Sequence, residues 1–152
     1  MKISSLVIEG GVFLRLSSRG HYGLKAMLDL AQNFGEKPIP LRSVAVRQNL
    51  SEHYLEQLIA MLKKASLVKS VRGSQGGYIL AREPSQLTVG DVFRAMEGPV
   101  APLLCVSEEN PVGCDEADYC ISRSVWARVR DGIVAVIDSI TLEDLCREAK
   151  KL

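Results

Sequence analysis

The fold of this chain is decided by residues 41–64, which read LRSVAVRQNLSEHYLEQLIAMLKK. A helix-forming run ends at Asn49, a residue type that tolerates the left-handed conformation found at many helix ends. Ser51 then has the side chain of a helix N-cap. Apolar residues beyond it recur at three- and four-residue spacing and form one stripe: Leu55, Leu58, Ile59 and Leu62. This pattern predicts a short helix, a tight turn and a second helix with a polar N-terminal part, which is a helix-turn-helix.

The residues on either side complete a winged helix-turn-helix. Upstream, a helix is predicted from Ser18 to the breakers Asn33 and Gly35, because its apolar residues share one face: Leu24, Met27, Leu28 and Ala31. Downstream, residues 67–72 and 78–81 are strand-like, and the glycine-rich residues 73–77 join them as a hairpin, the wing. We therefore expect a mainly α fold with a small β-hairpin wing.

The C-terminal third carries a long helix that we expect to pair with a second copy of the chain. Thr88 and Asp91 have capping-box spacing and open a helix that ends near Gly98. After residue 120 an apolar stripe runs along one helix face for about five turns: Val125, Val129, Ile133, Val136, Ile137 and Ile140. A two-fold mate is the simplest partner for such a stripe. Thr141 then caps a short final helix in which Cys146 has the phase of a packed residue.

The predicted organisation has four parts. Residues 1–13 are an N-terminal extension, 14–98 the winged helix-turn-helix domain, 99–120 a cysteine-bearing loop, and 121–152 the dimerisation helix with the C-terminal helix. Hydrophobic residues make up 47% and charged residues 24% of the 152 residues, which is typical of a globular protein. The sequence lacks an apolar run long enough for a membrane span and lacks a signal-peptide pattern, so we expect a cytoplasmic protein with no membrane contact.

The charge distribution favours a nucleic-acid partner for the N-terminal part. The net charge is only +1, but residues 1–97 hold 13 Lys and Arg against 8 Asp and Glu, while residues 98–152 hold 6 against 10. A basic half suits phosphates and an acidic half faces away from them. Known catalytic motifs are missing and the chain has two histidines, so the sequence does not indicate an enzyme.

Three cysteines lie close together in the predicted loop: Cys105, Cys114 and Cys120, spaced Cys-x8-Cys-x5-Cys. In a reducing compartment such thiols point to metal or redox chemistry, not to disulfides. Acidic residues surround them, which argues against burial in a core. Iron–sulfur, zinc and a metal-free thiol sensor all remain compatible with this spacing.

Several motifs together resemble the Rrf-type winged-helix transcription regulators, and within them the IscR-type iron–sulfur cluster regulators. They are LSSRGHYGLKAMLDLA at 16–31, YLEQL at 54–58, SVRGSQGGY at 70–78 and LTVGDV at 87–92, in the family's order and spacing. The resemblance covers roughly residues 14–145. It implies a homodimer, a cluster held by the three cysteines, and binding of double-stranded operator DNA controlled by the cluster.

The sequence departs from the IscR-type pattern at two points. The first cysteine interval has eight residues where that group has five, and Arg123 stands where it has a histidine ligand. Arginine does not ligate iron. Some relatives take the fourth ligand from the first helix of the partner subunit, and the matching residue here is His21, which otherwise reads as a surface or capping residue. The resemblance favours a 2Fe–2S cluster, with 4Fe–4S possible; a zinc site or a thiol redox sensor is the alternative.

The resemblance and the helix-turn-helix together give candidate DNA contacts. The polar N-terminal part of the second helix would enter the major groove, where Glu and Gln can pair with base edges; its candidates are His53, Tyr54, Glu56 and Gln57. Arg72 at the wing tip, with Gly73 and Ser74 beside it, would enter the minor groove. Lys63 and Lys69 would contact phosphates or simply solvate the surface.

Overall fold

The structure is a computed structural model that describes residues 16–109 and 111–152, so the predicted extension 1–13 lies outside the described residues. The order of its elements follows the predicted one. They are α1 (Ser18–Gln32), α2 (Leu41–Gln48), α3 (Glu52–Lys64), β1 (Val68–Val71), β2 (Gly77–Leu80), α4 (Val89–Glu97), α5 (Ile121–Ser139) and α6 (Leu142–Ala149), with 3-10 turns at Pro84–Gln86 and Leu104–Val106.

The turn between α2 and α3 forms for the reasons that the sequence indicated. Asn49 ends α2 in the left-handed region at φ 53°, and its N–H is bonded to carbonyls of the preceding turn. The Ser51 hydroxyl accepts the N–H of Tyr54 at 3.2 Å and so caps α3. These two local devices fix a tight corner, and the predicted helix-turn-helix is confirmed.

The wing is a two-stranded antiparallel hairpin in which Val68 pairs with Leu80 and Val71 pairs with Gly77. Strand β1 is one residue shorter at each end than the predicted 67–72, and β2 begins and ends one residue before the predicted 78–81. Ile39 adds a bridge to Tyr78, with N–H to carbonyl distances of 3.0 and 2.8 Å. A Cβ on Gly77 would lie 2.3 Å from the Ile39 carbonyl oxygen, so this close approach requires glycine.

One hydrophobic core joins the helices to the wing. It contains Met27, Leu58, Leu80 and Met96, and also Leu142 of α6, all almost fully buried. The C-terminal helix therefore packs back into the core of the helix-turn-helix. Cys146 is partly buried against the same core, as its helical phase indicated.

The long helix α5 lies outside this core, and none of its residues is buried within the chain. Its apolar face is exposed at Val125, Trp126, Val129 and Val136. A helix of 19 residues with an uncovered apolar stripe is the form expected of an element that packs on another helix. Within residues 16–109 and 111–152, no helix has the length and apolar character needed to cross a membrane.

Candidate functional site

The N-terminal turns of α3 present polar side chains to solvent. His53, Glu56 and Gln57 are exposed, and the Gln57 amide nitrogen lies 3.2 Å from His53 Nε2, one turn away. Tyr54 is only half-exposed, because its ring packs edge-on against Tyr22 of α1 with centroids 6.1 Å apart. Of the four predicted contacts on this helix, three are thus free to reach a ligand and Tyr54 is turned partly inward.

The wing tip is exposed and built on a backbone that only glycine adopts easily. Arg72, Gly73 and Ser74 are all exposed, and Gly73 has φ 120°. Lys63 at the end of α3 bonds Ser70 of β1, with Nζ to Oγ at 3.1 Å, so the helix and the wing are linked. The C-terminal end of α3 and the first strand of the wing are therefore in direct contact.

We expect Arg72→Ala to weaken binding to operator DNA by about 1–3 kcal/mol, the size of one good specific contact. The exposed guanidinium extends from a narrow hairpin tip, the shape that a minor groove admits. The measurement is a titration at fixed salt. Lys69→Ala is the control: a phosphate contact would weaken all sequences alike and reduce the salt slope by about 1. Unchanged operator affinity in Arg72→Ala would remove this residue from the binding surface.

Two of the three clustered cysteines line the same cavity, of about 300 Å³. Cys105 and Cys120 contribute to its wall together with Ala117, which follows the exposed Cys114 by one turn and donates its N–H to the Cys114 carbonyl at 3.0 Å. Arg123 lies on the same wall. The loop thus gathers two thiols at a cavity and places the third on the adjoining turn. Within the described ranges, no three Cys, His, Asp or Glu residues are close enough to hold a metal ion.

Cys120 has the electronic environment of a reactive or ligating thiol. It is the N-cap of α5, and its sulfur lies 3.2 Å from the Ser122 hydroxyl. The hydrogen bond from Ser122 and then those from the N–H groups of Arg123 and Ser122 lower the pKa of the Cys120 thiol, against the opposing charge of Glu116. A lowered pKa increases the thiolate fraction, which is the form that binds soft metals.

An ion-pair cluster ties the start of the cysteine loop to two helices, and sequence reasoning missed it. Arg94 of α4 donates from Nε to Glu108 at 2.9 Å and from Nη1 to Asp138 of α5 at 2.7 Å. Glu108 also accepts the N–H of Val100 at 3.1 Å. The hydrogen bonds that Arg94 donates to Asp138 and Glu108 raise the pKa of Arg94, and its guanidinium lowers the pKa of both carboxylates. The ion pairs of Glu108 and Asp138 therefore contribute to folding stability at a pH above the ordinary pKa of a carboxyl group. This contribution is lost as the pH falls through the lowered pKa values of the folded protein.

His21 lies in the first turn of α1, away from these thiols. Its imidazole is exposed beside Tyr22, with ring centroids 5.1 Å apart. The turn is held by Glu97 of α4, which accepts the N–H of Gly20 at 3.0 Å and the hydroxyl of Ser17. Within one chain His21 and the cysteines form no common ligand group among residues 16–109 and 111–152. A role for His21 as a ligand therefore requires a second copy.

Comparison with known proteins gives consistent matches over nearly the whole chain. The sequence profile of the Rrf2 family, described as iron-dependent transcriptional regulators, matches residues 16–148. The regulator CymR of Bacillus subtilis is 46% identical over 132 residues, which are 87% of this chain and 89% of CymR. The regulator IscR of Photorhabdus laumondii is 39% identical over 139 residues, 91% of this chain and 83% of IscR.

Solved structures agree with the fold described above. The structure of B. subtilis CymR, called there the global cysteine regulator, superposes with a TM-score of 0.76 over 90% of this chain and 98% of its own. T. potens IscR superposes with a TM-score of 0.73 at 51% identity, over 92% of this chain and 91% of its own.

Proposed function

Because the chain belongs to the Rrf2 family of iron-dependent transcriptional regulators, we propose that it works as a homodimer whose binding to operator DNA depends on an iron–sulfur cluster. The observation that carries the cluster proposal is that Cys105 and Cys120 line one cavity at the base of α5. That cavity lies between the cysteine loop and the N-terminal half of the helix that would join two copies.

The DNA-reading part of the proposal rests on the exposed polar face of α3 and the exposed wing tip. A recognition helix of this kind places its N-terminal residues against base edges in the major groove. His53, Glu56 and Gln57 are the exposed side chains there, and Arg72 is the cation of the wing tip. Lys63 donates a hydrogen bond to Ser70, so its side chain links the end of α3 to the wing.

The homodimer is supported by α5. Val125, Trp126, Val129 and Val136 are exposed apolar side chains along this helix, and an exposed apolar stripe of this length usually marks an interaction surface. Two copies related by a two-fold axis would bury the same stripe on both sides. The same axis would set two recognition helices against two half-sites about one helical turn apart.

The donor chemistry of the loop suits an iron–sulfur cluster. Cys105, Cys114 and Cys120 would supply three thiolates, and His21 of the partner subunit would supply the fourth ligand, since Arg123 has no basic lone pair. When bound, the cluster would supply reversible redox chemistry, with 2Fe–2S favoured and 4Fe–4S possible.

The chain's own residues would carry the effect of the cluster to the DNA-reading unit. Glu108, three residues after Cys105, is held by Arg94 of α4, and Arg94 also holds Asp138 of α5. Movement of the loop would therefore act on α4 and α5 together. The spacing of the recognition helices in the dimer would change with it, and with that spacing the fit to both half-sites.

The second candidate is a regulator that uses its cysteines without iron, as a zinc site or as a thiol sensor. The exposed Cys114 and the lowered pKa of Cys120 favour it, since an accessible thiolate reacts with oxidants and disulfides. DNA binding and dimerisation would be the same in both cases.

Anaerobic purification separates the two candidates. We expect a coloured protein with visible absorption and with iron and acid-labile sulfide in stoichiometric amounts per chain. DNA binding is then measured on the same preparation before and after removal of the cluster. A colourless protein loaded with zinc, or one without metal, would rule out the cluster and leave the thiol-based regulator.

We expect His21→Ala to change the visible absorption and circular dichroism of the reconstituted protein, because replacing an imidazole ligand alters the electronic states of the iron. The chain has one other histidine, His53 on α3, which makes His53→Ala the matched control. We expect the control to keep the spectrum and to affect DNA binding alone. Identical spectra in the two variants would exclude His21 as a ligand.

A further inference from the structure

Asp29 is a charged residue on the inner face of α1, and its side chain is only 4% exposed. Both of its carboxylate oxygens are engaged. Oδ2 accepts from Arg47 Nε at 2.9 Å and from Gln48 Nε2 at 3.0 Å, and Oδ1 accepts from Arg47 Nη2 at 2.7 Å. The carboxylate is therefore held by three hydrogen-bond donors, two of them from the guanidinium of Arg47.

All three donors come from the last two residues of α2. Arg47 and Gln48 directly precede Asn49, the left-handed residue at which the chain turns toward α3. The Leu50 N–H closes the same corner on the Ala45 carbonyl at 2.9 Å. Asp29 thus fixes the end of α2 at the place where a small rotation would change the direction of α3.

An ion pair whose carboxylate is buried is poorly explained by stability alone. Taking a carboxylate out of water is costly, and apolar residues of similar size often stabilise a fold as well or better. Hydrogen bonds are directional, however, and those to Asp29 permit one orientation of the end of α2. An apolar contact at the same place would permit several orientations. The carboxylate of Asp29 is thus shielded from water, while the side chain of Arg47 is half-exposed.

We propose that Asp29 is a positioning residue for sequence recognition: it holds the corner between α2 and α3 in the one orientation that fits α3 to operator DNA. The proposal rests on the proposed DNA-reading function, and it does not depend on the cluster. Loss of Asp29 would reduce discrimination between operator and other DNA, beyond any general loss of stability.

The test compares three variants with the wild-type dimer. Asp29→Asn keeps the volume but removes the charge and one acceptor. The double variant Asp29→Val with Arg47→Met replaces the pair by apolar groups and leaves no unpaired charge. Leu142→Ala is the control. Leu142 of α6 is fully buried, so this substitution destabilises the core but leaves the α2–α3 corner unchanged.

The probes are a duplex that the wild-type protein selects from a random-sequence pool and a scrambled duplex of the same length and composition. Affinity for both is measured at one salt concentration, well below the melting temperature of the least stable variant. The readout is the ratio of the two dissociation constants, since this ratio removes the general contribution of phosphates and of folding.

We expect Asp29→Asn to reduce this ratio roughly tenfold, about the discrimination of one base pair. The double variant should recover stability but keep the reduced ratio, and Leu142→Ala should keep the wild-type ratio. The proposal is wrong if the ratio is unchanged in Asp29→Asn, if it recovers with stability in the double variant, or if Leu142→Ala lowers it equally. Failure of the wild-type protein to select any duplex would be a different result, since it would overturn the DNA-reading function itself.

Discussion

Val129→Asp is expected to convert the protein from a dimer to a monomer and, as a result, to abolish tight operator binding. Val129 lies in the middle of the exposed apolar stripe of α5 and makes no buried contact within its own chain. In a two-fold interface the substitution acts twice and buries two carboxylates without partners. An uncompensated buried charge costs about 3–5 kcal/mol. One such charge would raise the dimer dissociation constant by roughly two to three orders of magnitude, and the two together by roughly four to seven.

The measurement is the concentration dependence of molar mass in solution, followed by operator titration. Ala135→Asp is the control, because Ala135 is exposed on the same helix but lies about 120° around it from Val129. Both variants should keep the fold and its thermal unfolding, since neither side chain contributes to the core. A Val129→Asp protein that remains dimeric would place the interface elsewhere.

Cys120→Ser is expected to remove iron and sulfide from the anaerobically purified protein and to eliminate its visible absorption. Cys120 caps α5, and its thiol has the lowered pKa that favours the ligating form. A serine hydroxyl at this position stays protonated at neutral pH and is a poor ligand for iron. Losing a residue hydrogen-bonded to a metal ligand lowers metal affinity by about 10–100-fold. Because Cys120 would itself be a ligand, its loss should lower the affinity for the cluster by more than this.

The matched control is Cys146→Ser, the same chemical change at the one cysteine outside the cluster loop. Cys146 packs against the core, and burial raises the pKa of its thiol, so it is not expected to bind metal. Its substitution should lower stability modestly and leave iron and sulfide contents unchanged. Equal metal loss in the two variants would indicate a folding defect, and retained iron in Cys120→Ser would exclude this ligand.

Much of the fold is predictable because its signals are local. The αL residue Asn49, the caps at Ser51, Thr88 and Thr141, and the apolar periodicity of α3 each depend on neighbours within a few residues. Strand β2 begins and ends one residue earlier than predicted, which lies within the usual uncertainty of element boundaries. The close approach of the Ile39 carbonyl to Gly77 joins residues far apart in the sequence, so local patterns do not reveal it.

The electrostatic contacts that organise the candidate sites could not be predicted in the same way. Arg94 meets Glu108 and Asp138 across 14 and 44 residues, and on the sequence each of them resembles an ordinary solvated charge. Asp29 gave no signal either, because it lies about 140° around α1 from Leu24 and so off the predicted apolar stripe. The structure buries it between Met27 and Leu30, where it meets Arg47, 18 residues further along the chain.

The contacts between α5 and the start and middle of α4 are concentrated at the C-terminal end of α5, so the helix can turn about that end. The C-terminal end of α5 is held by Arg94 on Asp138 and by the hydrogen bonds of Val89 to Ile140 and Leu142 to Leu87, at 2.9 and 2.8 Å. At 1.5 Å per residue its 19 residues extend about 28 Å from this fulcrum. A tilt of about 10° there would move the far end of the helix, at Cys120, by roughly 5 Å. The cysteine loop therefore lies at the long arm of α5, and a shift of about 5 Å in the loop would turn α5 against α4 by only about 10°, without any large refolding.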